Sequence, residues 1–428
     1  MEIYESGRRN IVVLGAGFGG ITALLKLYRG LKRRRLLGRY NLVLANRSAY
    51  HLYTPSLYEI AAIPKNEADA LRLKNTICIP ASDIMDRLPG ARFIGEEAVR
   101  LDPERHVITF ASGNRMNFEY LIVALGAQTN FFGIPGMERF SFPLKTFEDA
   151  LRLRNRIEEL AAANKDGALG ILVGGGGATG VEIAAELVNF LCYLKKRMRD
   201  GACREEITLI EASPEILPGF SDEIIRRTKR RLIALGVKIL TGKRIQEVRP
   251  YEIILDGSVL PYHLLVWAGG VRPSSVLSGF GLSTDERGGI VVNEFLEAMA
   301  SSGPNETRNS GRIYAIGDNM SFRHPKTQRP LAGNVPVAES SARLASFNIL
   351  AAIAGKERMP FRPLARYPFI LAVGGKYAVT DLVIVKFFGF AGWALKQLVE
   401  LRYLLFILPI KKAAAVWARA VYYSAVND

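Results

Sequence analysis

Two glycine-rich loops carry the residues whose spacing most clearly predicts chemistry. In a GxGxxG loop between a strand and a helix, the first glycine permits a tight turn and the second lets the backbone approach a pyrophosphate. The third glycine lets the strand and helix pack closely, and the N–H groups that begin the helix bind phosphate. The first loop contains Gly15, Gly17, Phe18, Gly19 and Gly20, and the second contains Gly175, Gly177 and Gly180. Each loop predicts a nucleotide site, and a structural turn is the alternative for either loop alone.

The residues around the first loop fit this prediction. The run Ile11–Leu14 is typical of a buried parallel strand, and Ile21–Tyr28 is typical of the helix that must follow. A second strand, Leu42–Ala45, leads to Asn46, with Arg47 beside it. An Asp or Glu normally ends this strand and binds an adenosine ribose. An amide can also hydrogen-bond a hydroxyl group, so the sequence predicts a variant dinucleotide site.

The second loop has the same kind of neighbours. The pattern predicts a strand over Leu169–Val173 before it and a helix over Val181–Arg199 after it. The next strand, Ile207–Ile210, ends at Glu211. This carboxylate is placed to bind both hydroxyls of a ribose and to repel a 2′-phosphate, so the sequence predicts NADH in preference to NADPH.

Two dinucleotide folds in one chain predict an electron relay between two nucleotides. We expect an α/β protein with two Rossmann-like dinucleotide-binding domains, with FAD in the N-terminal fold and NAD(H) in the middle one. The FAD domain is predicted to be split in sequence, over residues 1–140 and 270–350, with the NADH domain inserted at residues 141–269. Residues 351–428 are predicted to form a C-terminal membrane-associated region.

The charge and the cysteines narrow the class of protein. Of the 428 residues, 57 are Lys or Arg and 41 are Asp or Glu, a net charge of +16 that favours nucleic acid or anionic lipid as a partner. The basic runs lack interleaved aromatic residues, so nucleic-acid binding is not predicted. The chain has three cysteines, Cys78, Cys192 and Cys203. They form no CxxC pair, and their spacing predicts neither a metal site nor a disulfide framework. The cysteine pattern therefore predicts an intracellular protein with reduced thiols. The N-terminus has no signal-peptide pattern, and no apolar run has transmembrane length.

Four further segments carry a family resemblance. They are Tyr50–Glu59, Phe118–Gly126, Val266–Val271 and Ile313–Asp318. With the two loops, they resemble motifs of the two-dinucleotide-fold flavoproteins over nearly the whole chain. Within that superfamily the sequence is most similar to type II NADH:quinone oxidoreductase, the single-subunit respiratory enzyme that pumps no protons. The resemblance implies hydride transfer from NADH to FAD, and then transfer of two electrons to a membrane quinone.

The resemblance also implies roles for individual residues. Asp318 would hydrogen-bond the FAD ribityl chain, and Gly126 and Gly269 would lie in cofactor-binding motifs. Glu182 would lie near the nicotinamide and the flavin and would take part in hydride or proton handling. From the residues alone, a buried carboxylate there could hold a proton with a raised pKa, or it could be a plain helix N-terminal carboxylate.

The electron acceptor is less well defined by the sequence. The family carries two glutamines under the quinone, but the corresponding stretch here has Glu339 and Arg343, with Pro336 and Ser340 as further quinone-site candidates. This stretch is more similar to sulfide:quinone oxidoreductases, which keeps that activity as an alternative. Sulfide chemistry needs redox cysteines near the flavin, and Cys192 is expected to be a core thiol. An NADH–flavin reductase with a soluble acceptor is the other alternative, and it predicts no membrane association.

The C-terminus combines aromatic and basic residues. From Lys386 onward, apolar side chains are interrupted by Lys and Arg, and Pro409 is predicted to separate two helices. Cations on one face and aromatic residues on the other are typical of a helix that lies in an anionic headgroup layer. We therefore expect a peripheral protein on the cytoplasmic face of the membrane. The alternative is packing on the protein's own core or on a second subunit, which leaves a homodimer open.

Overall fold

The computed structural model describes residues 7–164, 168–198, 206–300, 311–331 and 333–426. Its strands, in chain order, are β1 (Arg9–Leu14), β2 (Tyr40–Ala45), β3 (Tyr50–Leu52), β4 (Cys78–Pro80), β5 (Arg92–Ile94), β6 (Ala98–Asp102), β7 (Val107–Phe110), β8 (Arg115–Asn117), β9 (Tyr120–Val123), β10 (Ala127–Thr129), β11 (Phe142–Pro143), β12 (Gly170–Gly174), β13 (Glu206–Glu211), β14 (Lys238–Thr241), β15 (Ile245–Val248), β16 (Glu252–Leu255), β17 (Ser258–Pro261), β18 (Leu264–Trp267), β19 (Val271–Pro273), β20 (Ile290–Val291), β21 (Ile313–Ala315), β22 (Met320–Ser321), β23 (Phe369–Ala372), β24 (Ala378–Asp381) and β25 (Lys386–Gly389).

The α-helices are α1 (Phe18–Arg33), α2 (Leu57–Ile60), α3 (Ala70–Ile77), α4 (Ala81–Met85), α5 (Met137–Phe140), α6 (Phe147–Ala163), α7 (Ala178–Met198), α8 (Asp222–Ala234), α9 (Val335–Ile353), α10 (Phe390–Ile407) and α11 (Ile410–Val426). In the described ranges, short 3₁₀ helices cover Thr54–Ser56, Ser275–Gly279 and Gly317–Asn319.

Two five-stranded parallel sheets form the centre of the fold. The first has the strand order β21-β9-β1-β2-β5, and the second has the order β11-β18-β12-β13-β14. In each sheet the strand before a glycine loop lies in the middle, and the next strand of the Rossmann unit lies beside it. The first sheet takes strands from both before and after the segment that builds the second. The expected α/β class, with one dinucleotide fold split by another, is confirmed.

Apolar clusters cover both faces of each sheet. On the first sheet, α1 packs against α9 on one face, while the meander β6-β7-β8 closes the other. On the second sheet, α6, α7 and α8 contribute to the largest buried cluster, and the meander β15-β16-β17 covers the opposite face. These parallel strands are buried on both faces, which explains their nearly continuous apolar sequences.

The C-terminal region begins with the antiparallel sheet β23-β24-β25 and continues into α10 and α11. Pro409 separates the two helices, as the sequence predicts. One face of α10 is buried in the protein's own core through Trp393, Glu400, Tyr403 and Ile407. Its other face exposes Phe390, Leu398 and Leu405. Within the described residues, no helix has both the length and the apolar character needed to cross a bilayer.

Three local expectations need correction. The segment Arg92–Phe110, with a turn at Asp102-Pro103, is predicted from sequence to form a small β-meander on the FAD domain. The structure differs, because β5 joins the first parallel sheet, while β7 pairs with β6 and with β8. Glu182 is the fifth residue of α7, one turn beyond the helix N-terminus where a dipole effect would be strongest. Cys192 is disulfide-bonded, so the expectations of a core thiol and of reduced cysteines are wrong for this residue. Arg199 and Cys203 lie outside the described residues.

Candidate functional site

The first glycine loop is built by close contact between strand and helix. Gly15 has a φ of +103°, which favours glycine, and its N–H donates to the Ala45 oxygen over 2.8 Å. A Cβ on Gly20 would lie 1.8 Å from the Gly15 carbonyl oxygen, so only glycine fits there. A Cβ on Gly17 would meet nothing within 4 Å. The loop therefore has its tight contacts on the inside and open space beside its middle glycine.

The second loop repeats this geometry. Gly175 has a φ of +106° and donates to the Ile210 oxygen over 2.8 Å. A Cβ on Gly180 would again lie 1.8 Å from a carbonyl oxygen, that of Gly175, and Gly177 again has open space around it. Open space at the second glycine and a helix N-terminus directly behind it fit a pyrophosphate at each loop. FAD and NADH are the groups that the sequence predicts there.

Asn46 and Glu211 occupy matching positions, at the carboxyl ends of the strands β2 and β13 that follow the two loops. The Asn46 Oδ1 accepts a hydrogen bond from the Ala16 N–H over 3.1 Å. At the equivalent place, the Glu211 Oε2 accepts from the Gly176 N–H over 2.6 Å, and its Oε1 accepts from the Ser213 N–H over 2.6 Å. Each carboxylate oxygen keeps a further lone pair for a ligand hydroxyl.

Arg47 lies at the surface beside this strand end. Its guanidinium is 3.7 Å from the Glu97 carboxylate, and both side chains are exposed. Asn46, Arg47 and Glu97 line a cavity together with Leu125 and Gln128. The structure therefore brings the two predicted residues, Asn46 and Arg47, to one opening at the carboxyl end of the first sheet.

Asp318 lies in the 3₁₀ turn that follows β21. Burial raises its pKa, and the nearby Lys145 opposes this shift. The next residue, Asn319, is fully buried and donates to the Gly126 oxygen over 2.6 Å, while its Oδ1 accepts from the Gly126 N–H over 3.1 Å. This pair of hydrogen bonds fixes the turn of Asp318 against the predicted motif that ends at Gly126.

Gly269 follows β18, at the matching edge of the second sheet. A Cβ there would lie 2.2 Å from the Trp267 ring. The Trp267 indole N–H donates to the Asn130 oxygen over 2.8 Å, which fixes the ring in place. A side chain at residue 269 would therefore displace the indole, and this explains the glycine without a ligand.

An aromatic cluster joins the first loop to the C-terminal helix. The Phe18 ring centroid lies 4.8 Å from that of Tyr403 and 5.6 Å from that of Tyr53. The Tyr403 hydroxyl lies 3.0 Å from the His51 Nε2, and the His51 Nδ1 lies 2.7 Å from the Ala16 oxygen. Burial lowers the pKa of His51 to about 4, so its imidazole is neutral at physiological pH. The chain Tyr403–His51–Ala16 therefore connects α10 directly to the first glycine loop.

Glu182 belongs to a buried cluster of ionisable groups. Burial raises its pKa to about 8; Lys396 and a backbone hydrogen bond from Ala372 oppose the shift, and Glu59 and Glu186 add to it. A carboxyl group with this pKa holds a proton at neutral pH and can release it to a base. The structure thus supports a protonated carboxyl group here over a plain helix-terminal carboxylate.

Lys396 lies at the centre of this cluster. Its ammonium donates to the Glu59 Oε1 over 2.5 Å, and both side chains are largely buried. Burial alone lowers the pKa of Lys396, but Glu59, Glu400 and Glu182 outweigh it, so the pKa of Lys396 is raised. Burial raises the pKa of Glu400 to about 7, and its Oε2 has no hydrogen-bond partner among the described residues.

Lys396 and Glu400 are site residues that the sequence does not reveal. In sequence, Lys396 is one of several cations that interrupt an amphipathic surface, and nothing local distinguishes it from the others. What identifies Lys396 as a site residue is its hydrogen bond to Glu59, 337 positions earlier in the chain. The family resemblance points to the segment Tyr50–Glu59, but it does not point to Lys396 as the ionic partner of this segment.

The predicted quinone-site residues lie on the first turns of α9. Arg343 and Glu339 form an ion pair of 2.8 Å, with Arg343 half-exposed and Glu339 largely buried. Pro336 is in the first turn of the helix, and the Ser340 hydroxyl lies 3.3 Å from that of Tyr367. Burial raises the pKa of Tyr403, and Glu339 adds to this shift. Glu339 therefore faces the aromatic cluster, while Arg343 points outward.

Comparison with known families agrees with this arrangement. Residues 9–342 match the family model described as pyridine nucleotide-disulphide oxidoreductase. The chain belongs to this family. The match spans both glycine loops and the Asp318 turn and ends within α9, so the C-terminal sheet and helices lie beyond it.

Two curated relatives are similar over most of the chain. The external alternative NADH-ubiquinone oxidoreductase of mitochondria from Yarrowia lipolytica is 27% identical over 91% of this chain and 74% of that protein. The type II NADH:quinone oxidoreductase of Staphylococcus aureus is 28% identical over 84% of this chain and 86% of that protein. These matches confirm the resemblance that the sequence motifs indicate.

A solved structure shares the fold. The structure of NDH2 from Plasmodium falciparum in complex with NADH has a TM-score of 0.80 and 20% sequence identity. The superposition covers 97% of this chain and 98% of that one, so it includes the C-terminal sheet and helices.

Proposed function

We infer that this chain is an FAD-dependent NADH:quinone oxidoreductase of the type II class, which does not pump protons. The observation that carries this conclusion is the pair of glycine loops with the same internal contacts and the same open middle glycine, in a chain whose relatives are NADH:quinone oxidoreductases. FAD supplies, when bound, the two-electron exchange between NADH and quinone.

We assign the two cofactors to the two sheets. The proposed FAD site consists of Gly15, Gly17, Phe18, Gly19, Gly20, Asn46, Arg47, Gly126 and Asp318. The proposed NADH site consists of Gly175, Gly177, Gly180, Glu211 and Gly269. The corresponding domains are residues 1–140 with 270–350 for FAD, and 141–269 for NADH. The repeated contacts support the glycines of the two loops, the hydrogen bonds of Glu211 to the second loop support its position, and the largely buried carboxyl group of Asp318 supports the other acidic position.

Glu182 is the proposed catalytic residue. At pH 7 its carboxyl group is mostly protonated, because burial raises its pKa to about 8. It can therefore donate a proton to a quinone as that quinone is reduced. The Lys396 ammonium lies in the same cluster, and its raised pKa keeps it positively charged there. Pro336, Glu339, Ser340 and Arg343 on α9 are the proposed wall of the quinone site.

We further propose that the protein is peripheral to an anionic membrane, at its cytoplasmic face. The exposed side chains Phe390, Leu398 and Leu405 lie on one face of α10, opposite the face that is buried in the core. A net charge of +16 favours an anionic lipid surface. A quinone dissolved in the bilayer would then reach the cluster from the side of α10.

The direct test is an anaerobic titration of the flavin-loaded protein, followed by its absorbance. We expect NADH to bleach the flavin, NADPH to do so poorly, and a short-chain quinone to restore the colour. Bleaching by NADH without recovery on quinone would leave an NADH–flavin reductase with a soluble acceptor. Bleaching by sulfide and not by NADH would overturn the assignment.

A further inference from the structure

The hairpin between β24 and β25 ends in an exposed apolar tip. We call Leu382, Val383, Ile384 and Val385 the hairpin tip. Their exposed fractions are 38%, 44%, 93% and 49%. Ile384 is the most exposed of the large apolar side chains in the described part of the chain. A contiguous apolar patch of this kind marks an interaction site more often than a lone exposed leucine does.

The turn chemistry of the tip is also unfavourable in water. The Leu382 N–H donates to the Val385 oxygen over 2.9 Å, so Val383 and Ile384 are the two central residues of a tight turn. Val383 has a φ of +77°, a region that β-branched residues avoid and that Gly or Asn normally fills at this position. The backbone strain falls on Val383, where glycine is favoured, and the cost of solvation is largest at Ile384, where a polar turn residue is favoured. Departures of this kind from local rules are expected at functional positions.

The base of the hairpin is held firmly, so the tip has a fixed direction. Asp381 is 1% exposed, forms an ion pair with Arg366, and accepts a hydrogen bond from the Val383 N–H over 2.7 Å. On the other strand, Lys386 forms an ion pair with Glu223 on α8. Both β24 and β25 pack against α10. The tip therefore projects from a rigid unit that includes the C-terminal helix.

The shape and surroundings of the tip favour a bilayer as its occupant. The tip is convex, and a fluid acyl layer can surround four projecting side chains without a matching pocket. β25 leads directly into α10, where Phe390 is 64% exposed, so the tip and the exposed face of the helix lie on one short stretch of chain. The chain is strongly basic, and the acidic groups at the base of the hairpin, Asp381 and Glu223, are both paired with cations. An anionic lipid surface complements this charge.

We propose that the hairpin tip inserts into the headgroup and acyl boundary of an anionic bilayer, as a second membrane contact beside α10. This proposal rests on the membrane association proposed above and identifies the hairpin tip as the element that enters the apolar layer. With two contacts, on the hairpin and on the helix, the orientation of the protein on the membrane is fixed as well as its attachment.

The test is co-sedimentation with vesicles of phosphatidylcholine and phosphatidylglycerol. We expect Ile384→Glu to weaken binding roughly tenfold or more, because transfer of one isoleucine side chain accounts for a factor of that size. The matched control is Val259→Glu, which makes the same change of charge at a β-branched residue that is 55% exposed on β17. The control should bind like the unmodified protein. Equal binding by all three proteins would overturn the proposal.

A second variant separates membrane insertion from folding. The double change Val383→Gly with Ile384→Asn places glycine at the positive φ and a polar turn residue beside it. We expect this variant to unfold at the same or a higher temperature and still to bind vesicles at least tenfold more weakly. Retention of vesicle binding by this variant would contradict insertion of the tip.

Two further measurements distinguish other outcomes. Flavin reduction by NADH, and reoxidation by a water-soluble quinone, should be the same in all variants, since the tip is part of neither proposed cofactor site. Failure of that assay in the unmodified protein would overturn the proposed function and leave the vesicle result to stand by itself. If the tip variants dissociate a dimer in lipid-free sedimentation, the tip packs on a second copy and the bilayer proposal is wrong.

Discussion

Glu182 differs from an ordinary surface glutamate because its surroundings keep it protonated near neutral pH. Burial raises its pKa to about 8. A carboxyl group that must donate a proton is active below its pKa, so quinone reduction should slow as the pH rises above about 8. We expect Glu182→Gln to lower the rate of flavin reoxidation by quinone about 10²- to 10⁴-fold and to abolish this pH dependence.

The two half-reactions separate this role from a structural one. In stopped-flow measurements, reduction of the flavin by NADH should stay close to normal in the Glu182→Gln protein. A variant that loses both half-reactions equally would show that Glu182 positions the cofactors and does not deliver a proton. Unchanged reoxidation across the pH range would remove Glu182 from the mechanism.

Glu211 sets the expected preference for NADH. Its carboxylate already accepts hydrogen bonds from Gly176 and Ser213, and its negative charge remains to repel a 2′-phosphate. Glu211→Gln keeps the size and an acceptor oxygen but removes the charge. We expect the ratio of kcat/KM for NADH over NADPH to fall at least about tenfold. An unchanged ratio would show that a group other than Glu211 distinguishes the 2′-hydroxyl of NADH from the 2′-phosphate of NADPH.

At the scale of single elements, each glycine loop has one glycine that is required for packing and another that is predicted to contact the ligand. A Cβ on Gly180 would lie 1.8 Å from the Gly175 oxygen, whereas one on Gly177 would meet nothing within 4 Å. Gly180→Ala should therefore lower the free energy of unfolding by about 1–3 kcal/mol, because strand and helix must separate. Gly177→Ala should leave stability unchanged and raise the KM for NADH, because its methyl group would occupy the pyrophosphate position.

Thermal unfolding and steady-state kinetics measure the two effects independently. The same pair of changes at Gly20 and Gly17 should act on stability and on FAD retention in the same way, since the contacts are equivalent. A loss of stability in the Gly177→Ala protein would mean that the loop closes more tightly than its open space indicates.

The elements whose formation depends on residues close together in the chain could be predicted from the sequence. Each glycine loop, the strand before it and the helix after it obey short-range spacing rules, and their bounds agree with the structure within a few residues. β5 could not be separated from the following meander, because short strands of similar composition do not reveal their sheet partners. For α10 the sequence leaves open packing on the protein's own core, and the structure shows one face buried there. The polar residues on that buried face carry no local signal, and membrane contact by the other face stays a prediction.

At the scale of the whole molecule, a buried ion pair connects the C-terminal helix to the rest of the site. Lys396 carries the positive charge that offsets Glu59, Glu182 and Glu400. Lys396→Met should lower the free energy of unfolding by about 3–5 kcal/mol, since it leaves buried carboxylates without a partner. The control is Lys412→Met, which removes an exposed cation that pairs with Asp83 and Asp86, and little change is expected there.

The pH dependence of this effect has a definite sign. The folded-state pKa values of Glu182 and Glu400 are raised by burial, to about 8 and about 7. A carboxyl group with a raised pKa adds stability at low pH and loses that contribution as the pH rises through its folded pKa. The Lys396→Met protein should therefore be most destabilised above about pH 8 and recover at about pH 5. Equal destabilisation at both pH values would indicate lost packing and not lost charge.

The long-range parts of the site could not be predicted, for a simple reason. Glu59 and Lys396 are 337 positions apart, and Tyr403 and His51 are 352 apart, so no local pattern connects them. A lysine within an amphipathic helix is usually solvated. Only the packing of α10 against the first sheet turns Lys396 and Tyr403 into members of the site.

The contact of Tyr403 with His51, and of His51 with the Ala16 oxygen, has a consequence for regulation. A ligand that orders the first glycine loop would also order α10 through this chain of contacts. Thermodynamic linkage is reciprocal, so attachment of α10 to a membrane would strengthen FAD binding by the same factor as FAD strengthens attachment. An enzyme molecule that loses its flavin would then also leave the membrane more readily, and only loaded molecules would stay beside the quinone pool.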